Sequence, residues 1–250
     1  MEQVGSERRD RPYGWRGRIG VIVPSPNTVC ETEFWRMAPA GVTVHTTRLW
    51  FRAGEVERPL DDMEQYLPRA LAELKGARVD LVAYACTASS MHGSPDKRAA
   101  DISAKTGAPA ITTAGAVLAA LDALGARRIA VGTPYPEAVN EGERRFFTAH
   151  QIAVTRMASK IVCDEQHQFR GMCRVPTEAV CDLAAEIDTP DSDAIFLSCS
   201  DMATLDAIPR IEAALGKPVV TSTQATFWQA LRMLGIRDRI PGAGRLFAEH

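Results

Sequence analysis

Two stretches decide the fold: Arg18-Ile19-Gly20-Val21-Ile22-Val23-Pro24 and Arg128-Ile129-Ala130-Val131-Gly132-Thr133-Pro134. A short, continuous apolar run stopped by proline, without polar alternation, is what a strand buried on both faces requires. It occurs twice, at an offset of 128 − 18 = 110 residues. Asp80 and Asp193 each stand six residues before a cysteine, Cys86 and Cys199, which are 199 − 86 = 113 apart. Gly107, Pro109 and Thr112 recur as Gly216, Pro218 and Thr221, at 216 − 107 = 109. Ala120-Leu121 with Leu124-Gly125 recurs as Ala230-Leu231 with Leu234-Gly235, at 230 − 120 = 110. Repetition at nearly one period means a duplicated unit.

Outward from these runs, strands are predicted over 19–23, 42–49, 79–84, 108–111, 128–131, 152–157, 194–197 and 219–222. Helices are predicted over 59–75, 95–106, 114–124, 136–149, 176–187, 205–215 and 225–234. Buried strands alternating with helices define an α/β fold whose parallel sheets are covered on both faces. The expectation is two similar Rossmann-like halves, 18–126 and 127–250, related by a pseudo-twofold axis with the active site between them. The last helix is free to pack on the first half. Residues 1–17, polar and carrying Arg8, Arg9, Arg11 and Arg16, are predicted to be a disordered leader.

Of the 250 residues, 46% are hydrophobic and 24% charged; 29 Lys+Arg against 31 Asp+Glu leave a net charge of −2. This balance argues against sequence-independent nucleic-acid binding. No apolar run is long enough to span a membrane. The N-terminus lacks the apolar middle of a secretory signal, so a reduced, cytoplasmic protein is expected, and a homo-oligomer on general grounds. The five histidines are scattered and no Cys-x-x-Cys occurs, so no metal site is predicted. Glycine-rich phosphate loops are absent, and no cofactor is predicted.

Ligands of open parallel sheets bind beyond the carboxyl ends of the strands. Four segments fall there: Pro24-Ser25-Pro26-Asn27, Ala85-Cys86-Thr87-Ala88-Ser89, Thr133-Pro134-Tyr135 and Ser198-Cys199-Ser200-Asp201. Cys86 and Cys199 each follow a buried strand, beside free backbone N–H groups that lower a thiol's pKa. With the halves facing, the two thiols would flank one cleft. One thiolate and one thiol suit racemisation next to a carboxylate, or attack on a conjugated double bond with protonation from the other side. Asn27, Thr87, Ser89 and Tyr135 would hold the carboxylate oxygens of a small mono- or dicarboxylate. Pro24, Ala88, Ser200 and Asp201 complete the candidate binding set. Asn27 could equally cap the helix that follows it, and Tyr135 could be a loop anchor. Cys163, Cys173 and Cys181 read as packing, as does Cys30, though it stands near Asn27; His92 and His167 read as surface groups. Trp35, Trp50 and Trp228 read as core or as a wall of an apolar pocket. Malonate-type decarboxylation using Cys199 alone and a non-catalytic carboxylate clamp are the alternatives.

The stretch Arg18 to Thr28 with Glu31-Thr32-Glu33 resembles the opening of maleate cis-trans isomerases. These belong, with arylmalonate decarboxylase, to the cofactor-independent aspartate/glutamate/hydantoin racemase superfamily. Gly132-Thr133-Pro134-Tyr135 with Val139-Asn140, Ala85-Cys86, Leu197-Ser198-Cys199 and Pro218 to Ser222 with Gln224-Ala225-Thr226 are similar to the family's other motifs. The resemblance implies that Cys86 adds to the substrate double bond, that Cys199 gives or takes the proton, and that Asn27 and Tyr135 bind carboxylates. Arylmalonate decarboxylases carry glycine in place of the first cysteine; having both weighs against a plain decarboxylase. There are two departures. The family's Cys-Thr-Asn is Cys199-Ser200-Asp201 here, whose anion would repel a dicarboxylate and suit an amine unless it turns away. The family's binding Asn after the sixth strand has no match in Cys163-Asp164-Glu165-Gln166-His167.

Overall fold

The computed structural model describes residues 11–160 and 171–250. Strands β1 (Gly17–Pro24), β2 (Val42–Leu49), β3 (Leu81–Tyr84) and β4 (Ala110–Thr112) form one parallel sheet in the order β2-β1-β3-β4. Strands β5 (Arg128–Thr133), β6 (Ala153–Ser159), β7 (Ala194–Leu197) and β8 (Val219–Thr221) form a second, in the order β6-β5-β7-β8. The same order, realised twice, is the structural form of the repeat. The paired aspartates explain themselves here. Asp80 accepts the Arg18 N–H at 2.8 Å, and Asp193 accepts those of Arg127 and Arg128 at 2.9 and 2.8 Å, so each pins the start of its half's first strand to the third.

The helices in the first half are α1 (Cys30–Met37), α2 (Pro59–Asp62), α3 (Leu67–Gly76), α4 (Thr87–Ser90), α5 (Pro95–Thr106) and α6 (Thr113–Ala123). In the second half they are α7 (Glu137–Ala149), α8 (Thr177–Ile187), α9 (Ile208–Leu215), α10 (Ser222–Met233) and α11 (Gly244–Glu249). The single helix predicted over 59–75 is broken: a 3₁₀ turn, Met63–Tyr66, separates α2 from α3. Pro68 lies in the first turn of α3 and has no N–H to continue a helix through that point. Helix α10 begins three residues earlier than predicted, because Thr221 and Gln224 form a capping box.

The halves join through α6 and α10, where Thr113 and Thr226 share a 3.0 Å hydrogen bond. The ring of Phe34 on α1 lies 4.8 Å from that of Phe227 on α10. One apolar cluster runs from Ile19 and Leu81 through Leu121 and Leu231 to Ile129 and Phe196, so the halves share a core. A helix apolar on all sides, as α6 is, must be buried between layers.

Two sequence expectations fail here. Residues 11–17 are not a free leader. Arg11 pairs with Asp80 at 2.9 Å, the Arg16 N–H reaches Gly41 O at 2.9 Å, Arg16 pairs with Asp238, and Gly17 already belongs to β1. These arginines have carboxylate partners that lie far away in the chain. Trp35 and Trp50 are surface residues, 48% and 58% exposed, while Trp228 is buried away from the cavity described below. Among the described residues no helix is long and apolar enough to cross a membrane.

Candidate active site

Cys86 and Cys199 each lie two residues beyond the third strand of their half, where the chain leaves the sheet. Both sulfur-bearing residues line one cavity of about 50 Å³, together with Pro24, Pro26, Asn27, Phe51, Leu60, Thr87, Ala88, Tyr135, Met172, Ser200 and Asp201. Roomier clefts of about 310 and 330 Å³ lie nearby, but no cysteine lines either. Chemistry therefore selects the smaller space. Among the described residues no Lys, Arg or His lines it, so the donors they offer a carboxylate are neutral.

The two thiols are held differently. Cys86 caps α4 with an ordinary extended backbone, φ −129°, and the Ser89 N–H faces its sulfur. Cys199 has φ 111°, a region that side-chain-bearing residues rarely adopt. Its N–H donates to Ser222 Oγ at 3.0 Å, its sulfur accepts the Asp201 N–H at 3.3 Å, and Met172 Sδ lies 3.4 Å away. The Tyr135 hydroxyl donates to the same sulfur.

The expectation of acidified thiols is overturned. Burial pushes Cys86 up to about 11 despite the Ser89 N–H. Burial and then the Asp201 charge push Cys199 further up. The predicted N–H donors are present, but desolvation of a buried thiolate outweighs them.

The other predicted residues divide. Asn27 caps the start of α1, its Oδ1 accepting the Val29 and Cys30 N–H groups at 3.1 and 2.9 Å, and its Nδ2 donates to Ser200 Oγ at 3.2 Å. Ser200 Oγ donates in turn to Ala85 O at 3.0 Å, so its hydroxyl spans the halves. Asp201 lines the cavity, yet its carboxylate turns to the Thr28 N–H at 2.9 Å and to that of Val29. Burial raises it to about 6. Thr87 Oγ1 is buried without a partner among the described residues, the state of a hydroxyl that waits for a ligand. Pro24, Ala88 and Tyr135 line the cavity. Ser89 does not: its hydroxyl faces the other way, donating to Glu64 at 3.0 Å, so it is withdrawn from the binding set. Cys30 is fully buried in the core, and His92 is exposed. Cys163, His167 and the segment where the family Asn was sought lie outside the described residues.

Sequence reasoning missed Phe51, Leu60 and Met172, which form the apolar wall. Phe51 follows β2, so the strand-end rule could have found it; Leu60 stands in the short helix α2 and Met172 in a 3₁₀ turn, Met172–Arg174, neither at the end of a strand. It also missed Glu33, in the first turn of α1. Its buried carboxylate accepts the Thr204 and Leu205 N–H groups across the halves at 2.7 and 2.8 Å, and burial raises it to about 7. Among the described residues no cluster of side chains is arranged to hold a metal ion.

Two duplicated α/β lobes, each contributing a thiol to one shared cavity, define the class: enzymes that work by cysteine acid–base and nucleophilic chemistry. The chain belongs to the arylmalonate decarboxylase family, whose model matches residues 19–247. It is 32% identical to a maleate isomerase of Geobacillus stearothermophilus over 92% of this chain and 97% of that one. It is 42% identical to an arylmalonate decarboxylase of Bordetella bronchiseptica over 58% of this chain and 60% of that one. Among solved structures, it is similar to a cysteine-to-serine mutant of Nocardia farcinica maleate cis-trans isomerase with a covalently bound succinylcysteine intermediate. That match has a TM-score of 0.85 and 27% identity over 94% of this chain and 99% of that one. With full-length relatives of this kind, the chain is an enzyme of the cysteine-based isomerase type.

Proposed function

We propose that the enzyme interconverts the cis and trans forms of a small unsaturated dicarboxylate such as maleate, with Cys86 as nucleophile and Cys199 as acid and base. The observation that carries this reading is the placing of one thiol from each half on a single cavity. The order of the two thiols supports the roles. Cys199 is held further up than Cys86, with Asp201 and burial both opposing its ionisation. The proton lost first therefore comes from Cys86, leaving one thiolate beside one thiol.

The Cys86 thiolate forms a C–S bond to one olefinic carbon. The π electrons move toward the adjacent carboxylate, and the neighbouring carbon takes the Cys199 proton. The former double bond, now single, rotates. Cys199 then removes a proton from that carbon, the double bond reforms, and the C–S bond breaks to return the Cys86 thiolate. Thr87 Oγ1 and the second Asn27 Nδ2 proton are the donors suited to the carboxylate oxygens, where charge develops as sulfur adds, and the Tyr135 hydroxyl joins them by leaving the Cys199 sulfur. Asp201, tied to backbone N–H groups of the other half, leaves that role to them.

Conversion of maleate to its trans isomer, followed by proton NMR, tests the proposal. Cys86→Ser and Cys199→Ser should each abolish turnover in a folded protein, and the second should trap substrate on the Cys86 peptide. Full activity in either variant refutes it. A second reading, decarboxylation of a malonate bearing an apolar substituent, draws on the wall of Phe51, Leu60 and Met172. Carbon dioxide release that tolerates Cys86→Gly but not Cys199→Gly would select it. A cytoplasmic homo-oligomer, each chain divided into its halves between residues 126 and 127, belongs to the same reading; light scattering tests the assembly.

A further inference from the structure

Behind Cys86, on the side away from the cavity, lies a polar cluster that the reaction does not touch. Arg98 Nη1 bonds both carboxylate oxygens of Glu64, at 2.8 and 2.9 Å. Glu64 Oε1 also accepts the Tyr84 hydroxyl at 2.7 Å and the Ser89 hydroxyl at 3.0 Å. The Arg98 guanidinium stands over the Tyr84 ring, 4.8 Å from its centre. None of these four residues lines the cavity.

Each bond has a consequence for Cys86. Glu64 sits in the 3₁₀ turn between α2 and α3, on the connection that also carries Phe51 and Leu60. Through the Ser89 hydroxyl it ties that connection to α4, the turn whose Ser89 N–H faces the sulfur. A carboxylate so close has a drawback: its negative charge opposes a thiolate. A guanidinium clamped on it offsets that charge without disturbing the hydroxyl bonds. Among the described residues, the other titratable groups near Cys86 are Tyr84 from β3 and Tyr135 and Cys199 from the second half, neutral in the resting site, and Asp201, which lines the same cavity with its carboxylate held by the Thr28 N–H.

We propose that Arg98 is a positioning residue for Cys86: clamped on Glu64 behind the thiol, it allows a carboxylate to anchor the active-site turn without suppressing the nucleophile. This rests on the reading of Cys86 as the attacking group, but it can be tested without substrate.

The test is the pH dependence of iodoacetamide alkylation of Cys86, followed by mass spectrometry of its peptide in the whole protein. Arg98→Met leaves the Glu64 anion uncompensated and should move the alkylation midpoint up by about one pH unit, roughly a tenfold loss of thiolate at a given pH. Glu64→Gln keeps an acceptor for both hydroxyls, removes the anion and should move the midpoint down. The double variant should return to near the wild-type midpoint, whereas a purely structural role predicts that the two lesions compound. An unmoved midpoint in Arg98→Met, or a double variant worse than Arg98→Met, overturns the proposal. Should Arg98→Met not fold, Glu64→Gln decides alone: a downward move supports the proposal, and no move or an upward one overturns it. Failure of the wild type to turn over maleate leaves these readouts intact and bears only on the proposed function.

Discussion

Cys199 and Cys86 occupy equivalent places in the two halves, yet only Cys199 has a backbone, at φ 111°, that glycine would prefer. The comparison of Cys199→Gly with Cys199→Ala isolates that difference, since both lack the sulfur. In ordinary backbone, glycine is less stable than alanine by about 0.5–1 kcal/mol, because it loses more conformational freedom on folding. A side-chain-bearing residue held in a sparsely populated region costs on the order of 1–3 kcal/mol. The second effect is the larger, so Cys199→Gly should be more stable than Cys199→Ala by about 1 kcal/mol. At Cys86, with φ −129°, the strain is absent and the order reverses: Cys86→Gly should fall below Cys86→Ala by about 0.5–1 kcal/mol. For a chain of this size each kcal/mol moves Tm by roughly 2–4 °C. Differential scanning fluorimetry of the four variants, supported by urea midpoints, reads the effect. The result that refutes the reasoning is a Cys199→Gly protein no more stable than Cys199→Ala, or the same order of glycine and alanine at both sites. Strain retained at a residue that can do chemistry is the signature of a sulfur aimed rather than merely packed.

Three further outcomes are expected. The free-enzyme rate constant kcat/KM should rise about tenfold per pH unit between roughly pH 7 and 10, because Cys86, held up at about 11, must ionise while Cys199 stays protonated; a flat profile would sink the resting-thiol assignment. Thr87→Val removes a buried hydroxyl with no partner among the described residues, so thermal melts should show stability unchanged or raised by about 1 kcal/mol, while steady-state kinetics show impaired turnover. Glu33, raised to about 7 by burial, holds a proton in the folded state that the unfolded chain gives up near its ordinary carboxyl value. Its contribution to stability therefore falls as pH rises from the ordinary value of 4.5 to about 7, where it levels off, by roughly 3 kcal/mol. Glu33→Gln, still able to accept the Thr204 and Leu205 N–H groups, should gain on the wild type at pH 8 and not at pH 5; equal urea midpoints for the two proteins at both pH values would contradict this.

The duplication, the strand and helix alternation and both cysteines were legible because each is written locally. A buried parallel strand must be apolar throughout, a helix must repeat at its own period, and the end of the third strand falls where the apolar run stops. Hence Cys86, Thr87, Asn27 and Tyr135 could be placed at strand ends before any coordinates. Even the early start of α10 was written in Thr221 and Gln224, though the strand reading overrode it.

The tertiary structure alone decided what those groups experience. Whether Asp201 faces a substrate depends on the Thr28 and Val29 N–H groups, which arrive from 173 residues or so away in the chain. Ser89 turned from ligand to anchor because Glu64, in the 3₁₀ turn that breaks the helix predicted over 59–75, stands behind it. Leu60 and Met172 reach the cavity from a short helix and a 3₁₀ turn, and Arg11 and Arg16 find their carboxylates only once the strands have paired. The thiols show the divide most plainly: local sequence places N–H donors beside each sulfur, but how far a thiolate is desolvated is set by everything that closes over it. Sequence periodicity governs where a side chain leaves the backbone, whereas dielectric, distant charge and strain belong to the assembled volume, and no single stretch of chain encodes them.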